Sequence, residues 1–444
     1  MHTFTRTWVG LALLLGPGGA PDDASTDTGT LQAVVERYFL TEDPAPRAEL
    51  VRRIEALADG DIAAVTAAMR GARLWHGVAS RSGTFPFEPS SGRTVTAAFD
   101  VPEDYDPAHA YPVIVCEPGP GFGATETLSL ARSVLGDTAA GHILVAPPRA
   151  VDGAFRAPRE EVGAFRALVR ATRRALHTDT DATFLFGLDA GADAAWHCAF
   201  MHGDLLAGLI AVNGRCDVPY PNQVYPFFLE NLRSVRVLAA WSTAGGTAEQ
   251  APDSVVAAHN RAIVALAERM SLPVTCLALG TSRRDWTTLL APHAADVLAH
   301  RRTVCGTPVS HWFRYPGQGH GAWLSQTVFK GAVWEADQLS ILASPVSDRD
   351  TFITDVIQSK LAYVGGRIKG QSITMQTRRC AEVALRLPAG CIDVDKPVAV
   401  VCNGLRRGSR RIRPSIATLL SVAYEDWDVQ NPVPATLSLR IRSD

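Results

Sequence analysis

Phe184-Leu-Phe-Gly-Leu-Asp-Ala-Gly191 joins a short apolar run to a helix through a turn with glycine at both ends. Its first three residues have the composition of a buried strand, and residues 193–200 continue as a helix. Gly187 and Gly191 suit this turn because a side chain at either position would clash where the two backbones meet. We therefore predict a sharp strand-to-helix turn that projects one side chain, Asp189, over the start of the helix.

Apolar runs of strand length recur on both sides of this turn and alternate with helical segments. Residues 159–176 repeat apolar side chains at the spacing of one helix face, and residues 254–270 are predicted as another helix. Strands that are apolar throughout are typical of a parallel sheet with helices on both faces. We therefore predict the α/β fold class with a mostly parallel sheet. The predicted strands are 94–99, 112–116, 142–146, 184–186, 209–212, 235–240 and 274–279.

The first 20 residues have the layout of a secretory signal peptide. Arg6 precedes an apolar run at 8–15, and Gly18 and Ala20 are small residues placed for cleavage. The run is far shorter than the roughly 20 residues that a membrane span needs. We predict a secreted or periplasmic protein with no membrane span after signal cleavage. An uncleaved anchor is the alternative.

The periodicity of the chain changes twice after the signal segment. Leu31, Val34 and Phe39 recur at helical spacing near the start, which predicts a helical leader. Short strands dominate the C-terminal part, where Asn403-Gly404 is a strong signal for a hairpin turn. The predicted domains are a signal peptide at 1–20, a linker and helical leader at 21–93, an α/β domain at 94–335 and a small, mostly-β accessory domain at 336–444.

Charge and composition narrow the classes of partner. A formal net charge of −2 over 444 residues provides no general attraction for nucleic acid or an anionic membrane. The sequence contains no phosphate loop, dinucleotide fingerprint or metal-ligand spacing, so we expect no cofactor and no nucleic-acid partner. A small-molecule, peptide or glycan ligand is the class that remains. None of the eight cysteines lies in a C-x-x-C spacing, and Cys380 could bridge to Cys391 within the last domain.

Four stretches, taken in order, resemble a known family. They are Tyr105-Asp-Pro107, the turn at 116–121, the glycine-flanked turn at 187–191 and His202-Gly-Asp-Leu-Leu-Ala-Gly-Leu-Ile210. Together they resemble exported bacterial α/β-hydrolases of the dienelactone-hydrolase and prolyl-oligopeptidase-like esterase type, over about residues 94–302. The C-terminal part looks like an accessory domain that some of these members carry. The resemblance implies an α/β-hydrolase fold, in which a G-x-S-x-G elbow presents a serine nucleophile.

The positions that carry the chemistry in that family are changed here. Asp189 stands where the resemblance places the serine. The family's His-Gly-Gly-Gly turn, which supplies an oxyanion-hole N–H, reads Glu117-Pro-Gly-Pro-Gly121. Proline has no N–H to donate, and a glutamate has the wrong charge beside an oxyanion. The residues that the resemblance implies around the oxyanion hole and cleft are Glu117, Gly119, Gly121, Ala190 and Arg284.

The resemblance also implies an acid and a histidine after two later strands. The loop for the acid offers Glu249 and Asp253. Arg284 stands where the histidine should fall, and an arginine stays protonated and cannot act as a base. His320, flanked by glycines in Gly319-His-Gly321, has a suitable local context but falls one element too late along the chain.

The sequence leaves three functional hypotheses open. The first is a catalytically impaired hydrolase relative that acts by binding, with Asp189 held by the helix N-terminus or by Arg284. The second is an active hydrolase with Asp189 as nucleophile and His320 as base, in the manner of haloalkane dehalogenases and epoxide hydrolases. The third is a carbohydrate-binding surface protein that acts through residues 336–444. Five arginines in that domain could bind phosphate or an anionic polysaccharide, and a solvated hairpin is the alternative account of them. They are Arg406, Arg407, Arg410, Arg411 and Arg413.

Overall fold

A computed structural model describes most of the chain between residues 29 and 441. The described residues are 29–89, 92–149, 163–215, 226–242, 255–279, 283–306, 308–315, 318–331 and 349–441. The predicted signal peptide at 1–20 lies outside them. Among these residues, no helix combines the length and the apolar character needed to cross a bilayer.

The first described elements are three short helices. Each begins at a residue whose side chain accepts a hydrogen bond from the backbone N–H groups of the first turn, namely Thr30, Asp43 and Asp61. The helices are α1 Leu31–Leu40, α2 Pro44–Ala58 and α3 Ile62–Gly71.

An eight-stranded sheet follows, and it confirms the predicted fold class. The strand order is β1-β2-β4-β3-β5-β6-β7-β8; β1 and β2 run antiparallel to their neighbours, and all the pairs from β4 to β8 are parallel. This is an α/β-hydrolase arrangement, with β5 at the centre. The strands are β1 Ser82–Phe87, β2 Val95–Asp100, β3 Tyr111–Glu117, β4 Ile143–Ala146, β5 Thr178–Leu188, β6 Gly208–Val212, β7 Arg236–Ser242 and β8 Val274–Leu279.

Helices cover both faces of this sheet, as the apolar strands require. One buried cluster contains α5, α6 and α8, and a second cluster on the other face contains α4 and α9. β3 to β7 are buried over most of their length because both of their faces are covered. The helices are α4 Ala124–Leu135, α5 Ala164–Ala175, α6 Ala190–His202, α7 Pro226–Leu229, α8 Val255–Met270 and α9 Arg283–Leu298.

The C-terminal part forms a second, mostly-β domain. Its two sheets have the orders β15-β14-β12-β11-β9 and β10-β13-β16, and they enclose their own apolar cluster. The predicted turn at Asn403-Gly404 connects β14 to β15. The elements are β9 Val309–Phe313, β10 Leu324–Phe329, α10 Arg349–Lys360, β11 Ala362–Lys369, β12 Ser372–Arg378, β13 Cys380–Leu387, β14 Val398–Cys402, β15 Leu405–Arg410, α11 Ile416–Asp426 and β16 Ala435–Arg440.

Both predicted boundaries of the α/β domain need correction. β9 pairs with β11 and β10 pairs with β13, so the residues from 309 onward belong to the C-terminal domain and the boundary at 335/336 lies too late. At the other end, β1 pairs with β2, so the sheet begins before residue 94. The boundaries were misplaced because the sequence of a short strand does not show which sheet the strand belongs to.

The predicted Cys380–Cys391 bridge is wrong. Cys391 is bonded to Cys305, with 5.1 Å between their Cα atoms, and Cys380 is a buried free cysteine at the start of β13. The bridge closes a loop of 86 residues and ties the segment after α9 to the C-terminal domain.

The helical leader packs mainly on the C-terminal helix. Val35 and Phe39 of α1 share one buried cluster with Leu419 and Leu420 of α11. Trp427, at the end of α11, donates from its indole N–H to the carbonyl oxygen of Leu74 at 3.1 Å. Helices α1 to α3 and α11 therefore form one packed unit.

Candidate functional site

Asp189 occupies the sharp turn between β5 and α6. Its φ of 53° and ψ of −124° are a backbone conformation that residues with a side chain rarely adopt. Such a conformation costs on the order of 1–3 kcal/mol and persists only where its surroundings enforce it. Here the Asp189 N–H donates to the carbonyl oxygen of Val212 at 2.8 Å, and the Asp189 carbonyl accepts from the N–H of Ala192 at 2.9 Å.

Glycines allow this turn to pack against the strand beside it. A Cβ added at Gly187 would overlap the carbonyl oxygen of Gly191, and one added at Gly191 would overlap the carbonyl oxygen of Glu117. The first turn of α6 therefore lies directly against the end of β3. The local sequence predicts this geometry because it depends on backbone contacts that only glycine permits.

The Asp189 carboxylate is exposed at the carboxyl edge of the sheet, where Asn213 binds it. Oδ1 of Asp189 accepts a hydrogen bond from Nδ2 of Asn213 at 3.1 Å. Oδ1 of Asn213 in turn accepts from the backbone N–H of Ser242 at 2.7 Å. Asn213 directly follows β6, so its side chain joins the carboxyl ends of β5, β6 and β7.

The loop after Asn213 is fixed by two further contacts. The N–H of Arg215 donates to Oδ1 of Asp193 at 2.5 Å, and its guanidinium lies 3.5 Å from Oδ2. The amide of Asn260, which is 1% exposed on α8, donates to the carbonyl oxygen of Gly214 at 3.0 Å. Two acidic side chains, Asp189 and Asp193, thus lie at the N-terminus of α6, where the helix dipole stabilises negative charge.

The turn after β3 brings three of the predicted cleft residues to this edge. Glu117 is 2% exposed at the end of β3, and Gly119 faces Gly191 across the turn. Gly121 has a φ of 82°, and the turn closes with a hydrogen bond from the N–H of Phe122 to the carbonyl oxygen of Gly119 at 3.2 Å.

Ala190 is the fourth predicted cleft residue at this edge, as the exposed first residue of α6. In G-x-S-x-G elbows, the N–H of the residue after the nucleophile is one oxyanion donor, and Ala190 has that position here. Prolines at 118 and 120 remove two possible donors from the facing turn.

The structure does not bring His320 to Asp189. His320 interacts with Asp204, Arg166, Arg386 and Asp426, and Asp204 follows the C-terminal end of α6. Asp189 lies at the N-terminal end of the same helix, and 13 helical residues span about 20 Å. The pairing of Asp189 with His320 is therefore corrected: the chain returns along α9 to the amino edge of the sheet before it reaches His320.

His320 belongs instead to a buried ionic cluster between the two domains. Arg166 of α5 lies 2.6 Å from Asp204 and 3.2 Å from Asp426, which also pairs with Arg386 of β13. Burial, followed by the positive charge of Arg166, lowers the pKa of His320 to about 3. The neutral imidazole of His320 therefore packs at the interface between the two domains and lies away from Asp189.

The remaining predicted site residues lie partly or wholly outside the described residues. Glu249 and Asp253 fall in the segment 243–254, which the structure does not describe. Arg284 lies in the first turn of α9, and its side chain is not among the described ones. The segments that follow β6, β7 and β8, at 216–225, 243–254 and 280–282, contain no histidine.

Sequence reasoning missed Asn213, which is the described partner of Asp189. The only local signal is the dipeptide Asn213-Gly214 directly after an apolar strand, and its left-handed backbone at φ 59° suits asparagine. Among the described residues, no group of three or more His, Cys, Asp or Glu side chains could hold a metal ion.

Comparisons with known proteins give similarities to solved hydrolase structures. A thermostable esterase matches at 16% identity over 50% of this chain and 63% of its own, with a TM-score of 0.40. A ferulic acid esterase matches at 16% identity over 49% and 96%, with a TM-score of 0.37. A fluorophosphonate-binding serine hydrolase of Staphylococcus aureus matches at 10% identity over 49% and 98%, with a TM-score of 0.38.

The chain thus spans less than two thirds of the length of the first of these esterases. No family model matches the sequence, and no curated protein does. The fold assignment rests on the strand order and on the elbow geometry.

Proposed function

We propose that this chain is an exported relative of serine esterases and peptidases that binds a ligand without hydrolysing it. The observation that carries the proposal is the hydrogen bond from Asn213 to Asp189. A carboxylate nucleophile forms an ester with an alkyl substrate or an anhydride with an acyl substrate, and a base must then take a proton from the water that hydrolyses this intermediate. An asparagine amide cannot accept that proton, and the sequence's best histidine for the role, His320, lies about 20 Å away beyond α6.

The turn at 117–121, where an oxyanion hole would have to form, supports the same proposal. An oxyanion hole needs N–H donors aimed at a developing negative charge. Here two prolines flank Gly119, and the carboxylate of Glu117 is buried beside the turn. The exposed Asp189 adds a second negative charge at the same edge. This edge therefore favours a ligand that donates hydrogen bonds over an acyl group that develops negative charge.

Two features support a secreted or periplasmic location. Residues 1–20 have the order of a signal peptide, and Cys305 is bonded to Cys391. Structural disulfides persist in oxidising compartments and are rare in the cytosol.

The proposal is tested by hydrolysis of p-nitrophenyl esters and aminoacyl p-nitroanilides by the wild type, Asp189→Ala and Asp193→Asn. Asp193→Asn is the matched control because it removes a carboxylate from the same helix turn. We expect all three proteins to give the same background rate. Turnover by the wild type that only Asp189→Ala abolishes would refute the proposal.

A second candidate function is the binding of an anionic polysaccharide by the C-terminal domain. A cleft of about 670 Å³ between β15 and β16 is lined by four arginines and one acidic residue, Glu382. None of the four arginines pairs with a carboxylate within the part of the chain that is described. An uncompensated basic cleft attracts an anionic ligand in a salt-dependent way. The four are Arg406, Arg407, Arg410 and Arg440.

Affinity electrophoresis of the full chain in polygalacturonate, with neutral dextran as control, tests this candidate. The double variant Arg406→Gln/Arg410→Gln should lose the retardation that wild type shows, and added salt should do the same. The matched control is Arg411→Gln/Arg413→Gln, since these two arginines do not line the cleft. Equal migration in the two polysaccharides would rule the candidate out.

A further inference from the structure

A second cavity lies at the opposite edge of the sheet from Asp189. Its volume is about 280 Å³, close to the lower end of the range of about 300–1,000 Å³ typical of small-molecule sites. It is formed where the segment after α3, the amino end of β5 and the segment after α11 meet. β5 has 11 residues, so roughly 30 Å of strand separates this cavity from the elbow.

Arg173 is the buried cation of this cavity. The residue is 4% exposed and donates to the carbonyl oxygens of Asp426 at 2.9 Å and Thr180 at 3.2 Å, while its Nε has no hydrogen-bond partner among the described residues. Arg166 and Arg302, in the same interface, each contact two carboxylates. Burial lowers the pKa of Arg173 even though Asp428 and Asp426 act to raise it, whereas for Arg166 and Arg302 the paired carboxylates outweigh burial and raise the pKa.

Trp75 offers a second buried donor to the cavity. Its indole N–H is shielded from solvent and has no acceptor within the described part of the chain. The ring is held in place because it stacks on His177, with 3.5 Å between the ring centroids and 11° between the planes. The donor is therefore presented in a fixed direction.

Arg70 supplies a third donor, at the exposed mouth of the cavity. One of its terminal nitrogens donates to the carbonyl oxygen of Gln430 at 3.2 Å, which orients the guanidinium. The lining residues include no aspartate and no glutamate. Asp428 and Asp426 act on Arg173 from behind the wall, so the carboxylates near this cation lie outside the lining itself.

The remaining wall is partly apolar and partly polar, since His177, Thr178, Thr180 and Gln430 also line the cavity. The apolar part includes four side chains. Leu74, Leu176, Val429 and the ring of Trp427 line it. The indole N–H of Trp427 already donates to Leu74, so this ring contributes apolar surface. A ligand that contacts both the N–H donors and this apolar part has one anionic end and an apolar body.

We propose that this cavity binds a small organic monocarboxylate, its carboxylate received by Arg173, Trp75 and Arg70 and its apolar body packed against Trp427 and the neighbouring aliphatic side chains. An unpaired buried donor is costly, and an anion that accepts from it removes that cost. The site joins three parts of the chain, so the bound anion also stabilises their association. This site is independent of the function proposed for the elbow.

Isothermal titration calorimetry of the full chain tests the proposal. Phenylacetate and hexanoate represent aromatic and aliphatic carboxylates, phenylacetamide is the neutral analogue of the first, and sulfate is an anion without an apolar body. We expect at least one of the two carboxylates to bind and to raise the melting temperature. Phenylacetamide and sulfate should bind at least about tenfold more weakly, since each lacks one of the two contacts.

Variants assign the binding to this cavity. Arg70→Gln and Trp75→Phe each remove one donor and should weaken carboxylate binding about tenfold, and neither side chain is part of the interdomain ion pairs. Arg52→Gln is the matched control, because Arg52 is an exposed helical arginine that pairs with Glu49 and does not line the cavity. Asp189→Ala should bind like the wild type, which separates this site from the elbow.

Three results would overturn the proposal. The first is the absence of heat and of a melting-temperature shift with both carboxylates at millimolar ligand. The second is binding that Arg70→Gln and Trp75→Phe leave unchanged. The third is equal affinity for sulfate, which would remove the role of the apolar wall.

Discussion

Asn213 Nδ2 donates to Asp189 Oδ1 at 3.1 Å, and this contact ties the residue after β6 to the elbow after β5. The same asparagine accepts from the N–H of Ser242 at the end of β7. One neutral amide therefore links three strand ends at the carboxyl edge of the sheet.

We expect Asn213→Ala to destabilise the fold by about 2 kcal/mol, because it removes two hydrogen bonds and places alanine in a left-handed conformation. Asn213→Gly removes the same hydrogen bonds without the backbone penalty and should cost roughly 1 kcal/mol less. Free energies of unfolding from urea titrations measure both variants. Equal stability of Asn213→Ala and the wild type would contradict the role assigned to this side chain.

The strained backbone of Asp189 makes a separate prediction. Asp189→Gly and Asp189→Ala both lose the contact with Asn213, but only glycine adopts the elbow conformation without strain. We therefore expect the glycine variant to be about 1–2 kcal/mol more stable than the alanine variant. If the two variants unfold at the same urea concentration, residue 189 is not strained.

Close backbone packing at the elbow predicts a large effect of a single methyl group. Gly191→Ala places a Cβ against the carbonyl oxygen of Glu117 and should cost about 2–4 kcal/mol. Gly141→Ala is the matched control because a Cβ there meets nothing within 4 Å. Surface substitutions of this kind change stability by no more than about 0.5 kcal/mol. Thermal unfolding of Gly191→Ala and Gly141→Ala measures this difference in stability. A Gly191→Ala protein as stable as the control would contradict the close contact between residue 191 and the end of β3.

Buried histidines predict an early onset of acid destabilisation. Burial lowers the pKa of His320 to about 3 and the pKa of His311 and His142 to about 4, from an ordinary value of about 6.5. The unfolded chain therefore binds more protons than the folded protein below about pH 6.5. Stability falls as pH falls through this window, by about 1.4 kcal/mol per pH unit for each such histidine.

Urea titrations between pH 7 and pH 5 measure this loss in the wild type and in His320→Gln. The variant should lose less stability over the interval, by up to about 1.4 kcal/mol per pH unit, because it lacks one of the groups that become protonated on unfolding. His109→Gln is the control, since His109 is exposed. A pH dependence unchanged by His320→Gln would show that His320 is not buried in neutral form.

The disulfide is checked by mass spectrometry of a non-reducing digest. We expect a linked peptide that contains Cys305 and Cys391, with Cys380 recovered as a free thiol after unfolding. The double variant Cys305→Ser/Cys391→Ser should be less stable by about 2–4 kcal/mol because the bridge closes a long loop. A peptide in which Cys380 is linked to Cys391 would contradict the structure.

Local features of the sequence predicted the elbow correctly. Gly187 and Gly191 indicate close backbone contacts in and around a turn of five residues. The continuously apolar strands indicate a sheet that is covered on both faces. The hairpin turn at Asn403-Gly404 is likewise a local signal. Each of these depends on neighbours in the chain.

Features that depend on residues distant in sequence escaped prediction. Asn213 reaches Asp189 only because β6 lies beside β5, and Cys305 reaches Cys391 across 86 residues. The glycines around His320 suggested a flexible active-site loop, whereas the fold places this half-buried residue near the charged side chains of Arg166, Asp204, Arg386 and Asp426 at the far end of α6. Sequence context can indicate how a side chain is presented, but not which edge of the sheet it reaches.

Incorporation of ¹⁸O into Asp189 is the decisive measurement. A carboxylate that forms and then hydrolyses an ester takes an oxygen atom from water at each turnover. We would incubate the protein in ¹⁸O-water with haloalkanes and epoxides, whose alkyl carbon the carboxylate would attack to form an ester with loss of halide or opening of the epoxide ring. The protein is then digested and any label is located by tandem mass spectrometry, with Asp193 in the same peptide as the internal control. We expect Asp189 to remain unlabelled; a heavier carboxylate at Asp189 alone would show that the elbow performs chemistry.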